Sequence, residues 1–362
     1  MTVLTFDFTN RIRADDAPSY IDLEAGYEWP LFVDWLTISQ VHPGGGLPLV
    51  AEGFAIHEDL LGEHQFTTVK RFECEGSFDS TMYIRCDGDR VEFHGNPARW
   101  NRADNVFGYT WEETMRRVNR LLGIHQLPPF TVGRKERYHD RGLVWLDGAR
   151  ISRIDITVNY VTGSEENAQR VIHLLGQHHR GRQLGKVTPD GASVIFGEGS
   201  KYVYGKAYLK HVELLAHRKK KSGKHVDDEV IEWCRSNGIV REEFGLKSRF
   251  LTQNDLCWLG EVTLEKLHRV YRARSQMTRL KELEVKDTSH LSAGARGTLA
   301  RHEQGEPHGL SRPTYYRHRK EILDKCGIDI SVPRNVEKVV IPTKVIEIQA
   351  VVAPEWYRRK YG

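Results

Sequence analysis

The segment Ile151–Tyr160 constrains the fold more than any other part of this 362-residue chain. Its residues alternate in character: Ile154, Ile156 and Val158 fall on one side of an extended chain, and polar residues fall on the other. The polar positions are Arg153, Asp155, Thr157 and Asn159. Such alternation predicts a β-strand with one covered face and one open face. The carboxylate at position 155 is then expected on the open face, where it is either a functional group or an ordinary solvated acid.

Strand and helix patterns on both sides of this segment predict an α+β fold. Strand-like runs at Leu31–Ser39, Thr67–Cys74, Thr81–Cys86 and Val91–His94, separated by turn residues, indicate a meander of antiparallel strands. Apolar residues at spacings of three and four predict an amphipathic helix at 111–122. Further strands are predicted at 192–196, 201–215, 239–251 and 339–352, and further helices at about 164–177 and 228–235. We therefore expect an antiparallel sheet backed by helices.

The length of the chain predicts more than one domain. We expect an N-terminal extension at 1–30, a large domain at 31–260 that carries the chemistry, and a basic, helical or winged-helix-like domain at 261–362. An apolar content of 39% and a charged content of 28% are typical of a soluble globular protein, and a net charge of +4 argues neither for nor against nucleic acid.

The sequence indicates neither a membrane-spanning protein nor a protein held together by disulfide bonds. No run approaches the roughly twenty apolar residues that cross a bilayer, and the N-terminus lacks a basic stretch followed by an apolar one, so we expect a cytoplasmic protein. The five cysteines show no CxxC spacing, which predicts buried thiols rather than a disulfide framework or a zinc site.

The block Ala207–Leu214 places a tyrosine just before a lysine, a histidine and a glutamate. The phenol of Tyr208 could act as a nucleophile toward a phosphodiester, with Lys210 meeting phosphate charge and Glu213 holding a divalent cation. Taken alone this is weak evidence, because most such tyrosines are half-buried strand residues. If 201–215 is extended throughout, the tyrosine and lysine share a face; if its end becomes helical, the grouping changes.

A second carboxylate, Glu243, is predicted on the strand at 239–251. A sheet face that carries Asp155 and Glu243 among arginines suits a hard cation beside a phosphate. The arginines of this face are expected to be Arg153, Arg241 and Arg249. The alternative is a lattice of surface salt bridges, each contributing little to stability.

From residue 263 onward the chain becomes helical and basic. The segment Leu310–Leu323 opens with Ser311 as an N-cap, has Pro313 in its first turn and carries basic and aromatic side chains along its length. With Ala293–Glu303 it could form a helix-turn-helix that contacts DNA, although any exposed helix pair could look similar. The candidate DNA contacts outside the sheet are Arg317, Arg319 and, in a lysine-rich loop, Lys219 and Lys220.

Taken together, these segments resemble the replication initiation proteins of filamentous bacteriophages, the gene II/X family. The shared motifs are an Arg-Ile-Asp strand, the Ala-Tyr-Leu-Lys-His-Val-Glu-Leu block and an Arg-x-Glu strand that ends in Lys-x-Arg-aromatic-Leu. They stand here at Arg153–Asp155, Ala207–Leu214 and Arg241–Leu251, with further matches at Pro97–Arg99, Asn105–Gly108 and Pro354–Tyr357. The likeness runs from about residue 90 to the C-terminus.

The resemblance implies a nicking-endonuclease-like domain that initiates rolling-circle replication. In that family the tyrosine of the eight-residue block cuts one strand of a double-stranded origin, stays joined to the 5′ phosphate and helps to reseal the displaced circle. Carried onto this sequence, Tyr208 is the implied nucleophile and Lys210 stabilises phosphate or phenolate charge. The carboxylates that we infer as ligands of Mg²⁺ or Mn²⁺ are Asp155, Glu213 and Glu243. The implied partners are origin DNA, the displaced single strand, and a host helicase and polymerase.

One other function fits parts of the sequence, and a second does not. A sequence-specific regulator without cleavage activity would use the basic helix near Tyr315, with Tyr208 as a structural residue. A tyrosine recombinase would need an Arg/His/Arg set before a C-terminal tyrosine, and the sequence offers no convincing one. The carboxylates favour the nicking enzyme over the regulator, because acids on a face that meets phosphates repel DNA unless a metal intervenes. The chain contains no Walker-type loop and no His-hydrophobic-His metal motif.

Overall fold

The structure, a computed structural model, describes residues 30–361 apart from gaps at 76–80, 101, 141, 178, 181–182, 221–225, 279–281, 287, 289, 327 and 332–342. Nearly all of the expected N-terminal extension therefore lies outside the described residues. The chain divides into a larger unit, formed by residues up to 279 together with 349–362, and a smaller unit formed by 280–348. The smaller unit is thus shorter than the domain predicted at 261–362, because the chain returns to the larger unit at its C-terminal end.

Strands and helices are numbered in chain order. The strands are β1 (Phe32–Val41), β2 (Gly53–Glu58), β3 (His64–Lys70), β4 (Phe72–Glu75), β5 (Thr81–Cys86), β6 (Arg90–Gly95), β7 (Lys135–Tyr138), β8 (Gly142–Trp145), β9 (Arg150–Val161), β10 (His179–Arg180), β11 (Gln183–Leu184), β12 (Lys186–Val187), β13 (Ser193–Phe196), β14 (Val203–Leu209), β15 (Val240–Lys247), β16 (Glu282–Lys286), β17 (Thr343–Glu347) and β18 (Gln349–Ala350). The helices are α1 (Trp111–Ile124), α2 (Glu165–Gln177), α3 (Lys210–Lys220), α4 (Asp228–Ser236), α5 (Ser248–Gln253), α6 (Leu264–Arg274), α7 (Ala293–Gln304), α8 (Arg312–Cys326) and α9 (Glu355–Tyr361).

One large antiparallel sheet dominates the larger unit. Its strand order is β12-β13-β14-β15-β9-β1-β6-β5-β4, and β18 pairs with the end of β9. The hairpins β2-β3, β7-β8 and β10-β11 stand apart from it. The α+β class predicted from the sequence, an antiparallel sheet backed by helices, is therefore confirmed. No helix among the described residues is long and apolar enough to span a bilayer.

The alternation in β9 explains how the two faces of the sheet are used. Ile154, Ile156 and Val158 are completely buried, together with Phe244 from β15. Helix α6 covers this apolar face, and its Tyr271 packs edge-on against the Phe244 ring. The polar face is left for the site, although its end near Asn159 is closed by other elements.

A second core closes that end of the polar face. It combines the loop before α1 with α3, α4 and α9, and Tyr357 of α9 is completely buried in it. The Tyr357 hydroxyl group contacts Asp104 and the guanidinium group of Arg102. The C-terminal helix is therefore part of the larger unit.

Two predicted strands end earlier than expected. The strand at 201–215 ends at Leu209 and continues as α3, in which the buried residues His211 and Leu214 lie three apart, as on one face of a helix. The strand at 239–251 ends at Lys247 and continues as α5, and the run at 67–74 divides into β3 and β4. The lysine-rich loop begins as the last turn of α3.

The smaller unit is built on the predicted helix pair. Helices α7 and α8 enclose a small apolar core, and β16 pairs with β17. That core contains Leu291, Ala295, Leu299, Ile322, Cys326, Ile328 and Ile330. The long final strand predicted at 339–352 is replaced by β17 and β18, and its first residues, 339–342, lie outside the described part. All five cysteines of the chain are buried free thiols, as expected.

Candidate active site

Side chains on the polar face form rows that cross the central strands. Directly opposed residues on antiparallel strands project to the same face, so the register defines each row. Going away from the end closed by α3, the rows are Tyr208, Arg241 and Asn159; then Lys206, Glu243 and Thr157; then Tyr204, Gly245, Asp155 and Trp35. Residues from four separate strands, β1, β9, β14 and β15, are therefore brought together on one surface.

Tyr208 lies at the centre of this surface and contacts an acid. Its side chain is only 4% exposed, and its hydroxyl group donates to Glu243 Oε2 at 3.1 Å. Burial raises the pKa of this phenol well above its usual value, and the negative charge of Glu243 adds to the increase. The positive charge of Arg241 acts in the opposite direction. The phenol is thus neutral at physiological pH and needs a proton acceptor in order to react.

Glu243 has the properties of such an acceptor. Burial, followed by the charge of Asp34, raises the pKa of its carboxyl group to about 7. A carboxyl group with this pKa exists in both protonation states near neutral pH, which is the condition under which a group can accept a proton and later return it. The hydrogen bond to Tyr208 already places the acceptor at the proton that must move.

Arg241 is enclosed within the protein. Its side chain is completely buried; Nη2 donates to the carbonyl groups of Asn105 and Val106, and Nε donates to Asn159 Oδ1 at 2.9 Å. Its Nη1 atom lies 3.8 Å from Asp34 Oδ1 and makes no hydrogen bond among the described residues. The sequence placed this arginine among the DNA contacts of an open face; instead the loop that contains Asn105 covers it.

Lys210 and Glu213 form an internal pair in the first turn of α3. The lysine is completely buried, and its Nζ atom donates to Glu213 Oε2 at 2.6 Å and to Asn105 Oδ1 at 2.8 Å. Burial lowers the pKa of Lys210, and the charge of Arg241 adds to this effect. Burial opposes ionisation of Glu213, yet Lys210 and a hydrogen bond from His217 lower its pKa far below its usual value. Glu213 is thus held as a carboxylate and is paired with the amino group of Lys210.

Asp155 is held by the arginine two residues before it. Arg153 Nε donates to Asp155 Oδ1 at 2.8 Å, and its Nη2 atom contacts Oδ2. The guanidinium group also lies over the Trp35 ring, 5.0 Å from its centroid. Burial raises the pKa of the Asp155 carboxyl group, although Arg153 acts against this increase.

Asp34 is a further carboxylate of the site, and no sequence pattern pointed to it. It lies at a bulge in β1, where the pairing with β9 shifts between Val33 and Trp35. Its Oδ1 atom accepts hydrogen bonds from Asn96 Nδ2 at 2.8 Å and Asn105 Nδ2 at 3.2 Å. Because a bulge interrupts the alternation of faces, the polar–apolar pattern of β1 gave no sign that this acid shares the surface with Glu243.

The three predicted metal ligands do not form one set. Glu213 is tied to Lys210, whereas Asp155 and Glu243 lie on the sheet face together with Asp34. No group of three or more Asp, Glu, His or Cys side chains within the described ranges is arranged to hold a metal ion. Mg²⁺ is commonly held by one or two carboxylates together with substrate phosphates. Asp34, Asp155 and Glu243 suit this kind of site, in which the phosphates of DNA would supply the remaining oxygen atoms.

The other predicted DNA contacts lie on separate elements. Arg249 is exposed on α5 and does not share the sheet face with Glu243. On α8, Arg317 is exposed, whereas Arg319 forms two hydrogen bonds of 2.6 Å with Asp329. The backbone of Lys219 and Lys220 belongs to the end of α3, but their side chains lie outside the described part.

Comparison with known proteins agrees with the resemblance seen in the sequence. The family model for the N-terminal region of the gene II replication-associated protein matches residues 34–273, and the model for its C-terminal region matches 292–361. The replication-associated protein of this type from Escherichia phage If1 is 29% identical over 76% of this chain and 97% of that protein. A rolling circle replication initiator protein from Geobacillus stearothermophilus, a solved structure, aligns with 67% of this chain and 84% of its own at 14% identity and a TM-score of 0.29.

The two family models cover most of the chain, and the first of them spans every side chain of the surface around Tyr208. The alignment with the phage If1 protein covers almost the whole length of that protein. The chain belongs to the family of the gene II replication-associated proteins of filamentous phages.

Proposed function

We propose that the protein initiates rolling-circle replication by nicking one strand of a double-stranded origin with Tyr208, and that it later rejoins the displaced strand into a circle. Family membership supports a role in replication. The main support for the nicking activity is the hydrogen bond from the Tyr208 hydroxyl group to Glu243, an acid with a pKa of about 7.

In the proposed reaction, the Tyr208 oxygen attacks the scissile phosphorus and its proton passes to Glu243. The new bond joins the tyrosine oxygen to the 5′ phosphate, and the bond between phosphorus and the 3′ oxygen breaks. The 3′ oxygen takes a proton from water and leaves as the hydroxyl group that primes synthesis. In the rejoining step a 3′ hydroxyl group gives its proton to water and its oxygen attacks the phosphotyrosine; the bond between phosphorus and the tyrosine oxygen breaks, and Glu243 returns its proton to that oxygen. The ester conserves the bond energy, so no nucleotide cofactor is needed.

A divalent cation, Mg²⁺ or Mn²⁺, is part of the proposal. Asp155 and Asp34 would hold it together with a phosphate oxygen, while Glu243 remains engaged with the phenol. When bound, the ion would neutralise charge on the phosphate. Without positive charge of some kind, these carboxylates would repel the DNA backbone.

DNA positioning is proposed for surfaces away from the reacting phenol. Arg317 and Tyr316 are exposed on α8, where a basic and an aromatic side chain could contact a duplex. Arg249 on α5, together with Lys219 and Lys220 at the end of α3, would contact backbone phosphates. The proposed partners are duplex origin DNA, the displaced single strand, and a helicase and polymerase of the bacterial host, in whose cytoplasm the protein would act.

Nicking of supercoiled circular DNA tests this proposal. The DNA carries the replication origin of the genome that encodes the protein, and it is incubated with Mg²⁺ or with EDTA. The proposal predicts a nick that requires the metal, with protein attached to the 5′ end, and no nick from a Tyr208→Phe variant that still binds DNA. Tyr204→Phe is the matched control, because Tyr204 lies on the same strand and face. If origin DNA is bound but the wild-type protein leaves it intact, the chain acts as a regulator instead.

A further inference from the structure

We propose that Lys206, rather than Lys210, is the lysine that contacts the scissile phosphate. This assignment rests on the proposed nicking function and adds a residue to its site. Lys206 stands two positions before Tyr208 on β14, so both side chains project to the same face of the sheet.

The buried position of Lys210 excludes it from contact with a substrate. Its side chain has no exposed surface, and its ammonium group is already bound to Asn105 and Glu213. A phosphate could reach this group only if the first turn of α3 and the loop at Asn105 separated. Lys210 therefore holds these two elements together.

Lys206 has the opposite surroundings. It is half-buried, and its Nζ atom lies 4.0 Å from the centroid of the Tyr208 ring, compared with 5.9 Å for the Nζ atom of Lys210. It also lies directly across from Glu243 on β15. Within the described part of the chain its ammonium group makes no hydrogen bond and no ion pair, so its three N–H donors remain available to a ligand.

The other cations of the face are committed elsewhere. Arg153 binds Asp155 through two nitrogen atoms, and Arg241 is enclosed by backbone carbonyl groups. Lys247 pairs with Arg153 in the row beyond Gly245 and Asp155, two rows farther from the phenol than Lys206. A phosphate placed for attack by Tyr208 thus meets Lys206 first.

The proposed contact would have two effects on the reaction. It would offset the repulsion between the phosphate and the carboxylates Asp34 and Glu243 as DNA approaches. It would also donate hydrogen bonds to phosphate oxygens while the bond to Tyr208 forms, and the loss of one such preorganised donor typically slows a reaction about 10²- to 10³-fold. Lys206 would then be a catalytic residue in direct contact with the substrate.

Single-turnover nicking of supercoiled origin DNA at saturating protein tests the assignment. We expect Lys206→Ala to cut about 10²- to 10³-fold more slowly than wild type. Lys206→Arg should recover most of the rate because it keeps the charge. Lys201→Ala, which removes an exposed lysine just before the same strand, is the matched control and should cut at the wild-type rate. Thermal unfolding of each variant shows whether the fold is intact.

Three further outcomes test this inference separately from the proposed function. If wild type nicks, Tyr208→Phe does not, and Lys206→Ala cuts at the wild-type rate, Lys206 is not the phosphate contact, although the function stands. If wild type does not nick, both proposals fail together. If folded Lys210→Met is slowed as much as Lys206→Ala while its unfolding temperature is unchanged, the buried lysine has the role that we assign to Lys206.

Discussion

Two hydrogen-bonded tyrosine–glutamate pairs lie back to back on opposite faces of the central sheet. On one face Tyr208 donates to Glu243 at 3.1 Å, and on the other Tyr271 donates to Glu242 at 2.9 Å. The two glutamates are neighbours on β15, and burial raises the pKa of both phenols well above the usual value. The two pairs differ in what surrounds them, and we propose that this difference makes the Tyr271 pair structural and the Tyr208 pair reactive.

The surroundings of Tyr271 satisfy its acid completely. Glu242 also accepts a hydrogen bond from Ser275 Oγ at 2.5 Å, and the Tyr271 hydroxyl group lies 3.1 Å from that of Tyr160. Helix α6 closes this face. Around Tyr208, in contrast, Lys206 has unused donors and Asp34 raises the pKa of the neighbouring acid. We propose that a hydrogen-bonded tyrosine–glutamate pair becomes reactive where its acid and a neighbouring lysine, here Glu243 and Lys206, are partly exposed and where the nearby ammonium group has donors left for a substrate.

The largest expected effect separates the two tyrosines. Tyr208→Phe should lower the nicking rate by about 10⁴-fold or more, because removal of a nucleophile abolishes its reaction path. Tyr271→Phe should cut normally but lose about 1–3 kcal/mol of unfolding free energy, because a buried carboxylate loses a donor. Single-turnover nicking and denaturant unfolding measure the two quantities. A Tyr271→Phe variant that is as stable as wild type but does not nick would contradict the structural role assigned to Tyr271.

The two glutamates should differ in the same way as the two tyrosines, with a smaller effect on the nicking rate. Glu243→Gln should slow nicking about 10²- to 10⁴-fold, because an amide cannot accept the phenol proton. Glu242→Gln should keep the wild-type rate and lower the unfolding temperature instead. The same assay, performed at several pH values, checks the role. A Glu243→Gln variant that cuts at the wild-type rate would mean that another group takes the proton.

The pH dependence of the free energy of unfolding tests the raised pKa of Glu243 without any substrate. The ordinary pKa of a glutamate, 4.5, applies to the unfolded chain, whereas the folded-state pKa of Glu243 is about 7. The unfolded chain therefore binds fewer protons between these values, and stability falls as pH rises through that window. The contribution lost by pH 8 is on the order of 3 kcal/mol. Urea unfolding in EDTA at pH 5 and pH 8 should show this loss in wild type but not in Glu243→Gln.

Regular patterns made much of the sheet predictable from the sequence. The alternation at Ile154, Ile156 and Val158 identified the buried face of β9, and the polar positions between them identified the face of the site. The resemblance to phage replication proteins pointed to Tyr208, and the structure places it beside Glu243.

The features that the sequence did not reveal depend on contacts between distant segments. The strand that carries Tyr208 ends at Leu209, and the first amide of the helix that follows, that of Lys210, pairs with the carbonyl of Ile239 in a distant segment. Lys210 is buried because Asn105, from a loop about a hundred residues earlier, accepts its hydrogen bond. Neither contact leaves a local pattern, so the buried lysine was predicted to meet phosphate.

The smallest expected effect concerns two arginines of α8 in the smaller unit. Arg317 is exposed, and Arg317→Ala should weaken DNA binding modestly and lower the dependence of log affinity on log salt by about 0.9. Arg319 is paired with Asp329, so Arg319→Ala should instead lower the unfolding temperature slightly and leave the salt slope unchanged. Fluorescence anisotropy at several salt concentrations measures both. Equal slopes for wild type and Arg317→Ala would place the duplex on another surface.

The most direct test of the central claim is to identify the residue that becomes joined to DNA. The wild-type protein is allowed to nick origin DNA with Mg²⁺, the complex is digested with protease and nuclease, and the peptide that carries the nucleotide is sequenced by mass spectrometry. We expect a nucleotide attached through its 5′ phosphate to Tyr208. Attachment to Tyr202 or Tyr204, or a nick that leaves no protein on the 5′ end, would contradict the claim.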